Sequence, residues 1–183
     1  MILKPQDTLL VLKYWSMKGQ GLRMSVRELA ESIKVSIGEI SKSTKRLTSA
    51  HLVVEREGRV NTETGALQEW FCYGVRHAYP VESIGFGRGM PTAWNCPRVR
   101  TDIMPPEPPV VWSVSGGSVE GMMIKPIHES VPFAASNDEL LYEALSLVEA
   151  IRLGKPRELA IAREELSIIL ESNKSRWTDI KTT

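Results

Sequence analysis

Two cysteines in 183 residues, Cys72 and Cys96, are too few for a disulfide framework. The three histidines, His51, His77 and His128, are scattered, and no pair has ligand spacing. No metal and no cofactor is expected, and both thiols are read as free, one of them buried. No run approaches the ~18 consecutive apolar residues of a membrane helix. The opening residues, Met1-Ile2-Leu3-Lys4-Pro5, lack the h-region and cleavage site of a secretory signal. These absences point to a cytoplasmic chain with no membrane partner. Charge of one sign is lacking too, with 23 Lys and Arg against 22 Asp and Glu. A catalytic constellation is missing as well. Carboxylates are spread over helix faces and the histidines have no obvious partner, so no nucleophile, base and orienting group assemble, and the chain is not read as an enzyme.

The near-zero net charge hides an uneven distribution. Residues 1–80 hold 12 Lys and Arg against 8 Asp and Glu, while 81–135 hold 4 against 5 and 136–183 hold 7 against 9. The basic excess lies wholly in the N-terminal part, where it suits a nucleic-acid contact.

That part reads as helices and one hairpin. Pro5 fits a first helical turn and Asp7 suits the positive end of its macrodipole. Leu9, Leu10, Leu12, Tyr14 and Trp15 give the helix an apolar face, and Gly19-Gln20-Gly21 stops it. Ser25 with Glu28 forms a capping box opening a second helix through Leu29, Ala30 and Ile33. Ser36 with Glu39 opens a third, eleven residues later. The spacing leaves room for one short helix and a tight turn at Lys34-Val35, which is helix-turn-helix spacing. The third helix is expected to bury Ile37, Ile40, Thr44 and Leu47 and to end near Ala50.

Leu52-Val53-Val54 has strand composition, Glu55-Arg56-Glu57-Gly58 turn composition, and Arg59-Val60 returns as a second strand: a small β-hairpin wing. A further helix over 62–78 should bury Leu67, Trp70, Phe71, Gly74, Val75 and Ala78. The third helix would expose Ser36, Gly38, Ser41, Lys42, Lys45, Arg46 and Thr48. Lys42, Lys45 and Arg46 stand at i, i+3 and i+4. Small polar residues near a helix start allow close approach to base edges, and cations further along meet phosphate or guanine. Arg56 and Arg59 on the wing are placed to reach an adjacent groove or backbone. The partner so implied is double-stranded DNA.

Residues 81–135 hold most of the prolines. Gly85-x-Gly87-x-Gly89 with Arg88 is neither a dinucleotide fingerprint nor a Walker loop, and it is read as a structural loop packed across the domain. Trp94 and Trp112 should pin this connector to a helical surface. Residues 110–114 and 118–124 flank Ser115-Gly116-Gly117 and read as a hairpin. Residues 136–172 read as two helices. Ser136 or Asn137 caps the first, Gly154 ends it and Pro156 opens the second. The first helix is apolar over more than half its circumference. Leu141, Leu145 and Val148, with the corner Arg152, Lys155 and Arg157, are therefore candidates for a dimer or partner contact. Residues 173–183 are expected to fray.

The fold class expected is mainly α with a small β-hairpin wing. A winged helix-turn-helix domain (1–80) precedes a Pro/Gly-rich connector (81–135) and a C-terminal helical hairpin (136–172). The order and spacing of elements over 4–80 resemble MarR-type winged-helix regulators. Nearly the whole chain resembles a bacterial family of winged-helix transcriptional regulators. That resemblance rests on Lys4-Pro5-Gln6-Asp7, residues 36–52, Gly74-Val75-Arg76-His77-Ala78-Tyr79-Pro80, Arg88-Gly89-Met90-Pro91-Thr92-Ala93 and Arg152-Leu153-Gly154-Lys155. It implies a DNA-binding regulator, working as a homodimer. Its alternative is an antitoxin or protein-interaction module that neutralises a partner encoded nearby, such as a nucleotidyltransferase-like toxin, and autoregulates its operon. MarR dimers use long terminal helices, whereas here a proline-rich insert intervenes, so their dimer geometry does not transfer.

Overall fold

A computed structural model describes residues 2–99, 104–105, 107–154 and 156–180, with side chains as far as Asn173. The described chain is mixed α/β and mostly helical, with one two-stranded hairpin and one three-stranded sheet. Helix α1 spans Pro5–Gly19, with proline in the first turn and the Asp7 carboxylate accepting from the Lys4 amide at 2.8 Å. Helix α2 spans Val26–Ser32. Its reciprocal box is present: the Glu28 amide donates to Ser25 Oγ, and the Ser25 amide donates to the Glu28 carboxylate. Lys34 takes the left-handed turn (φ 49°), and α3 follows over Ile37–Ser49 with Ser36 Oγ as its cap.

Strands β1 (Val53–Arg56) and β2 (Arg59–Thr62) pair antiparallel. The turn is narrower than its composition implied. Glu55 and Arg56 belong to β1, and Glu57-Gly58 alone reverse the chain with φ of 52° and 68°. Two left-handed residues match the twist of the strands they join. Helix α4 covers residues 64–78, not 62–78, because Thr62 still pairs with Val53. It is α-helical over Thr64–Glu69 and Val75–Ala78, with a π-helical turn at Trp70–Gly74 between. Leu67, Phe71 and Val75 are buried as expected, Trp70 and Gly74 partly so, and Ala78 is exposed.

The glycine-rich run is a strand rather than a loop. Strand β3 (Ser83–Pro91) lies antiparallel to β5 (Val119–Ile124), and its end lies antiparallel to β4 (Val110–Ser113). The hairpin expected between 110 and 124 is therefore not one: β4 and β5 run parallel, with Val110 opposite Met122 and Trp112 opposite Ile124. Each strand takes β3 as its antiparallel neighbour, and the three close on themselves. Glycine makes the closure sterically feasible. A Cβ on Gly89 would sit 2.2 Å from the Trp112 carbonyl oxygen, and one on Gly121 would sit 2.1 Å from that of Pro109.

A short helix, α5 (Val131–Ser136), precedes α6 (Glu139–Leu153). The cap of α6 is Asp138 rather than Ser136 or Asn137, since its carboxylate accepts from the Leu141 amide at 3.0 Å. Helix α7 runs from Pro156 to Ile180, so residues 173–180 of the tail are helical, and residues 181–183 lie outside the described residues. Asn173 is buried and donates to the Trp15 carbonyl, packed where Gly19 leaves space. Helix α6 is the centre of the molecule, packed by α1, α4, α5, α7 and the 3-10 turn Ala93–Asn95. One hydrophobic cluster runs from Leu9 through Trp112 to Leu170. Both cysteines are buried, not one, and both are free. Trp112 is fully buried and donates to Glu149 of α6, as the pinning role requires.

Closure through Gly89 makes a firm prediction. Gly89→Ala forces a methyl group into backbone, and such overpacking costs about 1–3 kcal/mol. Urea denaturation of the variant should show that loss. An unchanged midpoint would mean that β3 and β4 do not approach as described.

Candidate nucleic-acid interface

Helix α3 turns about 100° per residue, so its side chains divide cleanly between core and solvent. Ile40, Ser43 and Leu47 are buried, and Thr44 is half-buried with its hydroxyl 2.9 Å from that of Tyr14. Burial raises the Tyr14 hydroxyl pKa above the ordinary tyrosine range, so it stays a neutral partner to Thr44. Ile37, expected inside, is 52% exposed at the helix start. Ser36, Gly38, Ser41, Lys42, Lys45 and Thr48 all lie on the exposed side.

Arg46 does not join them. It lies about 60° around the helix from buried Ser43, and its side chain turns inward. Its Nε and Nη2 donate to the two carboxylate oxygens of Asp7 at 2.6 and 2.7 Å, and Nη2 also donates to Ser43 Oγ at 2.8 Å. Only 7% of the Arg46 side chain and 1% of that of Asp7 reach solvent. The assignment of Arg46 to base or phosphate contact is overturned. It is the anchor that clamps α3 to the first turn of α1. Tyr79 closes this pocket and donates to the Leu3 carbonyl at 2.8 Å. Burial, with the Asp7 carboxylate nearby, pushes its pKa up to about 12. Gln6 adds a second tie to α3, donating to Glu39 at 2.9 Å.

The cations that remain outward differ in how free they are. Lys42 is 3.0 Å from Glu39, and that hydrogen bond holds the Glu39 carboxyl below the usual carboxylate range. Lys45 and Arg59 make no ion pair among the described residues. Arg56 lies 3.7 Å from Glu63 in an exposed pair of little energetic weight. Arg56 and Arg59 face one another as cross-strand neighbours beside the turn, putting two positive charges at the hairpin tip. Serine and glycine leave the first turns of α3 low, and the lysines lengthen the reach one turn further on.

The candidate partner-contact residues fare differently. Leu141, Leu145 and Val148 are at most 1% exposed, used up by the chain's own core. Arg152 is also interior. It pairs with Glu149 at 2.5 Å and donates to the Tyr79 and Pro80 carbonyls. Glu149 further accepts from Trp112 Nε1 and the Ile127 amide. A helix apolar on every side is a central helix, and that is the reason this contact surface disappears. Arg157 is exposed, and Lys155 lies outside the described residues.

Besides the Glu149–Arg152 cluster, two polar clusters escaped the sequence reading. Asp138 gathers Lys13 (2.9 Å) and Ser16 from α1 and Gln20 just after it, as well as capping α6. The other is Asp7 with Arg46. The available signal was a charge inside a helix apolar around its whole girth: Asp7 and Lys13 sit among Leu9, Leu10, Val11 and Leu12, and buried charges need partners. Among the described residues no cluster of His, Cys, Asp or Glu suits a metal ion. Burial raises the Cys72 thiol pKa, which disfavours a nucleophilic thiolate.

Removing one member of the anchor leaves an uncompensated buried charge, which costs about 3–5 kcal/mol. Arg46→Ala or Asp7→Ala should lose that much in chemical denaturation, whereas an Asp7→Leu/Arg46→Met double variant should recover most of it. Single variants of wild-type stability would contradict the clamp. Compared with family models, curated proteins and solved structures, the chain matches none.

Proposed function

We propose that this protein is a transcriptional regulator of bacterial type that binds double-stranded DNA. In this reading α2 and α3 form a helix-turn-helix, α3 enters the major groove, and β1–β2 is a basic wing against the adjoining backbone or minor groove. The observation that carries the proposal is the composition of the exposed side of α3. Six of the residues named from the sequence, Ser36, Gly38, Ser41, Lys42, Lys45 and Thr48, share that side, while the buried Arg46 fixes which way it points. The hairpin tip adds Arg56 and Arg59.

The chemistry sorts by residue. Ser36, Ser41 and Thr48 offer hydroxyls to base edges or phosphate, and Gly38 permits close approach of the helix. Lys45 is free to meet phosphate directly. Lys42 exchanges Glu39 for a phosphate oxygen, a substitution between two exposed ion pairs that costs little. The antitoxin alternative draws less support from α6, whose apolar residues are internal.

The test is a salt titration of binding to duplex from upstream of the protein's own gene, with random duplex as control. Lys42→Ala/Lys45→Ala should leave stability within about 0.5 kcal/mol per site, because both side chains are exposed. It should lower the slope of log K against log salt by roughly 1.8, two counterion-releasing contacts being lost. Equal binding by variant and wild type, or binding that ignores salt, would contradict the proposal.

A further inference from the structure

The outer edge of β2 has no partner strand among the described residues. With a two-residue turn at Glu57-Gly58, Arg56 with Arg59 and Val54 with Asn61 are the hydrogen-bonded pairs of this ladder. The backbone groups of Val60 and Thr62 therefore point away from β1. They face a groove of about 960 Å³ whose far wall is residues 21–26, between α1 and α2. Among the described residues no backbone hydrogen bond crosses it, and the Leu22 amide turns back to the Met17 carbonyl instead. Leu22 and Val26 stand 45% and 50% exposed on that wall. The residues around the groove include four cations, Lys18, Arg23, Arg56 and Arg59, against Glu57 and Glu63.

An open strand edge is normally covered or blunted. Here it is open only at Val60, which is half-exposed while Thr62 is buried, beside apolar side chains under a net positive rim. We propose that the groove takes an extended acidic segment of a partner protein, added beside β2 as a third strand. Main-chain hydrogen bonds to the Val60 amide and carbonyl supply the pairing, and alternate apolar side chains lie against Leu22 and Val26. Carboxylates between them meet Arg23 and Arg59. The inference stands apart from DNA binding. Its one link is that Arg56 and Arg59 belong to both surfaces, so an occupied groove would compete with DNA for them.

The test uses the full chain and two end-blocked heptapeptides, one alternating glutamate with valine and one alternating lysine with valine, followed by amide shift mapping. The glutamate peptide is expected to shift the Arg59, Val60 and Thr62 amides and the lysine peptide to leave them unmoved. Val60→Pro removes an outward amide without touching the β1 ladder, as proline is tolerated on an open edge. It should weaken the glutamate peptide about tenfold while the Asn61 amide stays protected. Arg59→Glu, which leaves the backbone alone, should reverse the charge preference. No shifts at millimolar glutamate peptide, equal binding of both peptides, or shifts confined to other surfaces would overturn the proposal.

Discussion

Asp7 and Arg46 meet where α1, α3 and Tyr79 exclude water, and each would be costly to bury alone. What makes the pair tolerable is its geometry. Two parallel N–H to oxygen bonds satisfy both carboxylate oxygens, the Lys4 amide takes a further lone pair, and Ser43 occupies another guanidinium proton. Replaced by apolar residues of the same volume, such a pair contributes little net stability, so its consequence is orientation. Rotate α3 about its axis and the guanidinium leaves its carboxylate. The helix is thus held with Ile40, Ser43 and Leu47 inward, and Gly38, Ser41 and Lys45 have only solvent to face.

Two other buried polar clusters act in the same way on other elements. Asp138 ties α1 to the start of α6 through Lys13, Ser16 and Gln20. Glu149 and Arg152 tie α6 to β4 through Trp112, to the segment before α5 through Ile127, and to the end of α4 through the Tyr79 and Pro80 carbonyls. Each links elements far apart in sequence around α6. The helices and the closed three-stranded unit share one apolar core, and these directional contacts set how they sit within it. The face of α3 and the hairpin tip are consequently displayed from a framework registered at three points.

Features governed by neighbours in the chain were legible in the sequence. Ser25, Ser36, Gly154 and Pro156 act within a turn of where they stand, and α2, α3, α6 and α7 stop or start beside them. The hairpin was legible too, though its turn is only Glu57-Gly58. Features governed by distant neighbours were not. Whether β4 pairs with β5 as a hairpin or runs parallel to it depends on β3, some twenty residues earlier, and on glycines thin enough for strand closure. Helical period puts Arg46 only at the border of the buried side of α3, and what draws it inward is Asp7, 39 positions away. The apolar girth of α6 was visible, but its reading as a surplus face missed that five elements converge on it. As for the candidate site, its polar small-residue start and outward lysines were readable from helical period alone, and its anchor was not.

The most direct test of the account is a map of amide shifts in the full chain on adding duplex from upstream of its own gene. The account predicts that perturbations centre on Ser36, Gly38, Ser41, Lys42, Lys45 and Thr48 and on the β1–β2 turn, with the Asp7 and Arg46 environment unmoved. Perturbations that spare α3 and fall on the outer face of β3 and β5 would contradict it.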